Sequence, residues 1–320
     1  MTTYAFDPEI YAFDPEIAAV VPLIPDLPGD DPLAIRAALS EMIAQFPPAD
    51  TTGLQIEDRH IPGGDGDPAV PIRVYRPDQR SAPAAIYHVH GGGFIAGDLD
   101  TEHAFNATLA RELGVVVVSV DYRLAPETPF PGGLEDAYAG LVWTAGHAGE
   151  LGIDPQRIAI QGTSAGGGLC AALALLARDR GGPHIAFQFL SVPELDDRLA
   201  TGSMIEFTDT PLWSRPRAVL SWDCYLGPGR AGTNDVPIYA APARATDLAG
   251  LPSAYVSVMH FDPLRDEGIA YALAMLAAGV SVELHLFPGT FHGSMLIQHA
   301  AISKREQAET IAVLRQALAL

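Results

Sequence analysis

Ser164 lies in a short glycine-rich segment whose residue types and spacing fit nucleophilic catalysis. The pentapeptide GTSAG, residues 162–166, follows an apolar strand-like run and precedes a stretch with helical spacing. A chain that turns sharply from strand into helix strains its central residue, and only small neighbours two positions away on either side avoid the crossing backbone. The pattern predicts an exposed serine nucleophile at a helix N-terminus. For the pentapeptide alone, a glycine-rich loop that packs closely or binds phosphate remains an alternative.

A serine hydroxyl becomes a useful nucleophile only when a base accepts its proton and a carboxylate orients that base. His292 and Asp262 supply these groups in the chain order serine, acid, histidine that is typical of G-x-S-x-G hydrolases, and each follows a strand-like run. The competing acids Asp266 and Glu267 lie inside the next predicted helix, where acidic residues favour the first turn. We therefore favour a triad of Ser164, His292 and Asp262.

Other histidines compete for the role of the base. His285 falls within a predicted strand and His299 within the start of the last predicted helix. His260 shares a loop with Asp262 and is the closer rival. It lies only two residues from that acid, so it is poorly placed to connect the acid to Ser164.

Three consecutive glycines, residues 91–93, follow another strand-like run. Glycine lets the backbone approach a ligand closely, and preorganised N–H donors stabilise the oxyanion that forms when a serine adds to an ester carbonyl. We expect this glycine run to supply one half of an oxyanion hole and the N–H of Ala165 to supply the other. His88 and His90 alternate on one face and could bind a metal, but no third ligand is near in sequence. We favour His90 as a hydrogen-bonding support for the loop.

Strand-like and helical segments alternate over most of the chain, which predicts an α/β fold with a mainly parallel sheet covered by helices on both faces. The predicted strands are residues 70–75, 84–89, 115–120, 157–160, 185–190, 253–259 and 282–287, and the bounded helices are residues 32–45, 134–147, 165–178, 266–278 and 300–320. Residues 199–236 interrupt the alternation. Together with residues 1–49 they are expected to form a cap over the C-terminal edge of the sheet, where such sheets bind ligands. Residues 50–198 and 237–320 would form the catalytic domain.

The charge balance excludes several classes of partner. The chain of 320 residues has 19 basic and 39 acidic residues, a formal charge of −20, which repels nucleic acid and anionic membranes.

The two cysteines of the chain, Cys170 and Cys224, do not form a disulfide framework. No apolar run reaches the roughly 18 residues of a membrane span.

The N-terminal part carries a duplication, since the heptapeptide YAFDPEI occupies residues 4–10 and again 11–17. A single duplication does not indicate a repeat architecture. No basic residue precedes Arg36, and Pro22 and Pro25 interrupt the nearest apolar stretch, so no secretory signal is expected. The sequence therefore predicts a cytoplasmic protein.

Six motifs together carry a family resemblance. In chain order they are HGGGF, YRLAPE, FPGGLEDA, GTSAGG, DPLRDEG and FHGS. With them the chain resembles the hormone-sensitive lipase family of α/β-hydrolases, in its bacterial esterase branch of the GTSAG type, from about residue 70 to the C-terminus. The resemblance implies the α/β-hydrolase fold with a helical cap. It assigns Ser164, Asp262 and His292 to the triad. The oxyanion donors that it implies are Gly92, Gly93 and Ala165.

The sequence departs from the family pattern at two places. Thr163 stands where many members have an aspartate before the nucleophile, so any role of that aspartate is unavailable. His260 and Phe261 stand where Glu-Tyr often precedes the acid. The second departure affects local hydrogen bonding and leaves the triad in place.

These residues predict a serine carboxylesterase that hydrolyses short- to medium-chain acyl esters through an acyl-enzyme, with no metal or organic cofactor. The expected partners are a small ester substrate and a second copy of the chain in a homodimer. Phe94 and Trp213 are predicted walls of the substrate pocket. The same triad could instead hydrolyse an amide, carbamate or lactone, or transfer the acyl group. A receptor-like binding protein, such as the plant gibberellin receptors that the family resembles, is the non-enzymatic alternative, and the presence of His292 argues against it.

Overall fold

The fold is built on one mixed sheet. A computed structural model of the chain describes residues 11–25, 27, 29–64 and 66–320. Within these residues, eight strands form the sheet in the order β1-β2-β4-β3-β5-β6-β7-β8. The strands are β1 Leu54–Ile61, β2 Val70–Pro77, β3 Ala85–Val89, β4 Val116–Val120, β5 Ile158–Thr163, β6 Phe187–Ser191, β7 Ala254–Phe261 and β8 Val282–Phe291. Strands β4, β3, β5, β6, β7 and β8 run parallel to one another, whereas β2 is antiparallel to both β1 and β4.

Helices cover both faces of the sheet. The described α-helices are α1 Pro15–Ala18, α2 Pro32–Ala44, α3 His103–Leu113, α4 Gly132–Gly146, α5 Ala148–Leu151, α6 Ala165–Arg180, α7 Gly202–Glu206, α8 Arg215–Leu226, α9 Arg265–Ala277 and α10 Ala301–Ala317. Strand β4 shows the two faces directly. Val116 and Val118 pack into the core that contains α4 and α6, whereas Val117 packs into the core that contains α3 and α10. Side chains alternate across a strand, so a strand buried on both faces reads as a continuous apolar run.

The α/β fold with a mostly parallel sheet, predicted from the sequence, is confirmed. Each of the seven predicted strands is present, and β1 is an additional strand. Its middle residues Glu57 and Asp58 are charged and solvent-exposed, which is typical of an edge strand that resists pairing with other chains. Strands β7 and β8 extend beyond their predicted ends, so that Asp262 and His292 follow them immediately.

The second copy of the heptapeptide YAFDPEI packs against the ends of β7 and β8. Tyr11 and Phe13 stack with ring centroids 5.5 Å apart, and Phe13 meets Phe261 edge-on at 5.2 Å and Phe291 at 5.4 Å. The Asp14 N–H donates to the Gly289 carbonyl at 2.8 Å. These contacts hold the N-terminal segment against Phe261 and Phe291, which directly precede Asp262 and His292. The first copy lies outside the described residues.

Helices α2 and α8 pack over the loop that follows β3. Ile35 of α2 and Leu220 of α8 share an apolar cluster with Ile95. Arg36 donates from Nε to the Ile95 carbonyl oxygen at 2.9 Å, and its two terminal nitrogens form a bidentate ion pair with Glu127 at 3.0 Å. These contacts tie α2 to that loop and to the segment that follows β4. None of the helices in the described ranges is long and apolar enough to cross a membrane.

We predict that Phe13→Ala destabilises the protein far more than a surface substitution does. The ring is buried at 8% exposure, and removing a buried phenylalanine side chain leaves a cavity that costs about 3 kcal/mol. Urea unfolding followed by circular dichroism measures the change. The matched control is Leu33→Ala, because Leu33 is 58% exposed and its truncation should cost less than about 0.5 kcal/mol. Equal losses in the two variants would contradict the proposed packing.

Candidate active site

Ser164 occupies a strained turn between a strand and a helix. β5 ends at Thr163 and α6 begins at Ala165, and between them Ser164 has φ 59° and ψ −122°. A non-glycine residue rarely adopts a positive φ, and its cost must be offset by the surrounding structure. Ser164 is 5% exposed, so it is more buried than the exposed nucleophile that the sequence predicts. It lines the cavity described below.

Two glycines explain the spacing around this serine. A Cβ on Gly162 would lie 2.3 Å from the carbonyl oxygen of Gly166, and a Cβ on Gly166 would lie 2.1 Å from the carbonyl oxygen of Val89 at the end of β3. Both distances are too short for any side chain, and the opposing atoms belong to the backbone. The two glycines therefore let α6 start close to β5 and β3, which is the steric reason for the G-x-S-x-G pattern.

The predicted base and acid lie in hydrogen-bonding contact with this serine. His292 Nε2 lies 2.9 Å from Ser164 Oγ, and His292 Nδ1 lies 2.8 Å from Asp262 Oδ2. The other oxygen of Asp262, Oδ1, accepts the N–H of Leu264 at 2.8 Å. A neutral imidazole that donates from Nδ1 to a carboxylate is left with Nε2 as a proton acceptor facing the hydroxyl. This arrangement can remove the serine proton during nucleophilic attack.

The topology explains why residues far apart in the chain meet here. β7 and β8 are parallel neighbours, so their carboxyl ends lie at the same edge of the sheet as the end of β5. Asp262 follows β7 directly and His292 follows β8 directly. Open parallel sheets place their ligands at this edge.

The glycine run after β3 presents unengaged backbone donors. Gly92 has φ 125° and Gly93 has φ 59°, and a Cβ on Gly92 would lie 2.1 Å from the Ala96 carbonyl oxygen. Within the described chain, the N–H groups of Gly92, Gly93 and Ala165 donate to no protein acceptor. Free N–H groups beside a nucleophile are suited to stabilise an oxyanion.

Glu102 holds the first glycine of this run and was missed by the sequence reasoning. Its Oε1 accepts the N–H of Gly91 at 3.0 Å, and its Oε2 lies 3.2 Å from His88 Nε2. Burial opposes ionisation, but His88 and the Gly91 N–H outweigh it and lower the pKa of Glu102. No short motif marks this glutamate, because it reaches the loop from a position 11 residues further along the chain.

His90 supports the same loop from the other side. Its Nδ1 lies 2.8 Å from the Gly91 carbonyl oxygen, and its ring stacks on Tyr122 with centroids 4.3 Å apart. Burial lowers the pKa of His90, so the neutral ring donates from Nδ1 to that carbonyl. The described residues contain no group of three His, Cys, Asp or Glu side chains arranged to hold a metal ion.

The competing residues have other partners. Asp266 accepts the backbone N–H of Ser203, and Glu267 accepts that of Leu195. His285 pairs with Glu309. His260 lies in β7, and its Nδ1 faces the backbone N–H of Gly289 at 3.4 Å, while His299 is exposed just before α10. None of them is placed between Ser164 and a carboxylate.

A cavity of about 630 Å³ opens onto Ser164 and His292. Its walls come from the glycine run and from α2, α3, α8 and α10. Trp213 lines this cavity, and its ring lies 5.6 Å from the His292 ring. The Trp213 ring is so close to Gly93 that a Cβ on that glycine would lie 2.6 Å from it.

The structure places Phe94 away from this cavity. Phe94 has φ 59° and is 3% exposed. Its ring stacks on Tyr225 at 4.0 Å and lies 5.5 Å from Trp222 in the main core. The left-handed backbone at this residue directs the ring inward, so Phe94 anchors the glycine run to the main core and does not line the described cavity.

The chain is similar to α/β-hydrolases and to proteins named as esterases. A family model described as "alpha/beta hydrolase fold" matches residues 86–296. The chain is 43% identical to carboxylesterase NlhH of Mycobacterium tuberculosis over 263 residues, covering 81% of this chain and 80% of that protein. It is 37% identical to an arylesterase of Saccharolobus solfataricus, with 81% and 82% covered. The solved structure of a bacterial heroin esterase superposes with a TM-score of 0.91 at 51% identity, covering 96% of this chain and 98% of that one.

We predict that a fluorophosphonate probe labels Ser164 and no other residue. His292→Ala should slow labelling at least about 100-fold, because the hydroxyl loses the base that accepts its proton. Mass spectrometry of the labelled peptide locates the adduct. Ser281→Ala, at an exposed serine, is the matched control and should label at the wild-type rate. An adduct on a different serine would contradict the geometry described above.

Proposed function

As a member of the α/β-hydrolase family, this chain is a carboxylic ester hydrolase, a carboxylesterase, and we propose that its reaction runs through Ser164, His292 and Asp262. The observation that carries this proposal is a continuous hydrogen-bonding series. Ser164 Oγ lies 2.9 Å from His292 Nε2, and His292 Nδ1 lies 2.8 Å from Asp262 Oδ2. A binding protein without catalysis would not need a base at this position, and the receptor-like alternative is not retained.

In acylation, Ser164 Oγ attacks the ester carbonyl carbon while His292 Nε2 accepts the hydroxyl proton. The carbonyl oxygen becomes an oxyanion, and it accepts hydrogen bonds from the N–H groups of Gly92, Gly93 and Ala165. His292 then gives the proton to the leaving oxygen as the carbon–oxygen bond breaks, and the alcohol departs. Asp262 keeps the imidazole in one tautomer and stabilises its charged form.

In deacylation, the same groups act on the acyl-enzyme. A water molecule attacks the acyl carbon while His292 Nε2 accepts one of its protons. The second oxyanion forms in the same pocket of N–H donors. Its collapse returns the proton from His292 to Ser164 Oγ and releases the carboxylic acid.

The cavity supports a preference for short- to medium-chain acyl groups. Its volume of about 630 Å³ lies within the range of small-molecule sites, and helices α2 and α8 close over the side that faces the glycine run. We assign residues 1–49 and 199–236 to a cap, and residues 50–198 and 237–320 to the catalytic domain. Both cap segments contribute lining side chains, among them Ile35 and Trp213.

Several finer points from the sequence stay proposals. The same triad could act on amides, carbamates or lactones, or transfer the acyl group to an alcohol, since each reaction passes through an acyl-enzyme. A cytoplasmic location and a homodimer are likewise proposed from the sequence. A 4-nitroanilide paired with the matching 4-nitrophenyl ester compares amide and ester hydrolysis directly.

We predict that kcat/KM for 4-nitrophenyl esters is highest for acyl chains of two to about eight carbons and falls at least about tenfold by sixteen carbons, because an extended chain of that length must bend or protrude from a cavity that α2 and α8 partly close. Release of 4-nitrophenol measures the rate. Ser164→Ala should lower kcat by about 10⁴-fold or more for every chain length. A rate that rises steadily to sixteen carbons would refute the acyl preference, and full activity of Ser164→Ala would refute the mechanism.

A further inference from the structure

Glu194 is a buried acid directly behind the nucleophile, and the mechanism above does not use it. It follows β6 and is 0% exposed. Its backbone N–H donates to the carbonyl oxygen of Ser164 at 3.1 Å. Its own carbonyl oxygen lies 2.0 Å from where a Cβ on Gly168 would stand. The backbone of Glu194 is therefore fixed against the start of α6.

A hydrogen-bonded chain connects this side chain to the oxyanion loop through Ser221 of α8. Ser221 Oγ lies 2.9 Å from the carbonyl oxygen of Gly93 and 3.0 Å from Glu194 Oε1. A hydroxyl has one proton, and a carbonyl oxygen can only accept. If Ser221 donates to Gly93, the proton of the second bond must come from Glu194. The two contacts are satisfied together only when Glu194 is a neutral carboxylic acid.

The surroundings of Glu194 favour this neutral form. The ionisable groups that face it are Asp262, Glu267, Tyr122 and Tyr225. In the described parts of the chain, no lysine, arginine or histidine forms an ion pair with it, and its Oε2 has no hydrogen-bond partner. A buried carboxylate without a cation is costly. Burial raises the pKa of Glu194 to about 8, and the charge of Asp262 adds to the rise.

We propose that Glu194, as a neutral acid, is a positioning residue that holds the Gly93 carbonyl through Ser221 and so orients the oxyanion donors. The inference rests on the proposed function, since it assumes that the N–H groups of Gly92 and Gly93 face the oxyanion. Gly93 has no side chain to fix its peptide planes, and its conformation lies at φ 59°. A hydrogen bond to its carbonyl oxygen is therefore a direct restraint on this part of the loop.

Ionisation of Glu194 would reverse the chain of bonds. The carboxylate can only accept, so the Ser221 proton turns toward it and the Gly93 carbonyl loses its donor. Because the pKa is near 8, the positioned loop is present below that pH and is lost as the pH rises through it. We predict an alkaline limb in kcat, with an apparent pKa of about 8, that reports on Glu194.

The same raised pKa has a consequence for stability. An unfolded glutamic acid ionises near pH 4.3, whereas the folded one keeps its proton to about pH 8. Between these values folding takes up a proton, so this group's contribution to the free energy of unfolding falls as the pH rises. Glu194→Gln removes this dependence, because the amide stays neutral in both states.

The test compares pH profiles of kcat and KM from pH 6 to pH 10 for the wild type and three variants, with a short 4-nitrophenyl ester. Glu194→Gln keeps a neutral side chain that can donate to Ser221, so it should retain activity within about threefold at pH 7 and lose the alkaline limb. Ser221→Ala breaks the link and should lower kcat about 10- to 100-fold at pH 7, with KM changed less than threefold. Affinity for a trifluoromethyl ketone, which mimics the oxyanion, should fall in parallel with kcat.

Glu306→Gln is the matched comparison. Glu306 is a second buried acid whose pKa burial raises to about 8, and it lines the same cavity from α10. Among the described residues, no hydrogen bond links its side chain to the glycine run. The alkaline limb should persist in this variant. Disappearance of the limb in Glu306→Gln, or its persistence in Glu194→Gln, would overturn the proposal.

The remaining outcomes are also decisive. If Glu194→Gln does not fold, Ser221→Ala still tests the link, and unchanged kcat and inhibitor affinity in that variant would overturn it. Greater stability of Glu194→Gln than of the wild type at pH 9 would support a neutral acid at this position. Activity that survives Ser164→Ala would instead refute the proposed function, so the two failures are distinguishable.

Discussion

The close approach of three backbone segments around Ser164 is the constraint on which the rest of the site depends. The helix α6 starts so near to β5 and β3 that Gly162 and Gly166 have no room for a Cβ. The serine between them is forced to φ 59°. Its strain is sustained by the burial of residues 165–177 of α6 in the main core, because a helix that is apolar on all sides is stable only when it is enclosed. The reactive hydroxyl is thus held in place by packing.

The glycine run after β3 depends on polar support from several directions. Glu102 holds the Gly91 N–H, His90 holds its carbonyl, and Ser221 contacts the Gly93 carbonyl. Phe94 adds an apolar anchor by inserting its ring into the core. Glycines make the loop able to adopt its conformation, but they do not select it. These polar groups lie just before α3, just after β3 and within α8, and together they select one conformation.

Much of this arrangement could be predicted from the sequence, and the reasons are physical. The α/β fold follows from apolar runs of strand length separated by helical spacing, and it is confirmed. The proximity of Ser164, Asp262 and His292 follows from a rule of topology, because the carboxyl ends of parallel strands lie at the same edge of the sheet. As catalytic assignments these residues stay predictions. Glu102 and Glu194 were not foreseen, because their partners lie on other elements and no local pattern marks a glutamate as buried. Phe94 was misjudged as a pocket wall since its positive φ is not visible in the sequence.

The seating of the N-terminal segment has a consequence for the order in which the chain can fold during synthesis. Tyr11 and Phe13 contact Phe261 and Phe291, and the Asp14 N–H donates to Gly289. Glu16 accepts the N–H of Ala301 at the start of α10. These contacts join the earliest described residues to positions between 261 and 301, so the ribosome must synthesise those positions before the N-terminal segment has a surface to bind. Until then the N-terminal segment cannot take up its native position, so its docking is a late step of folding.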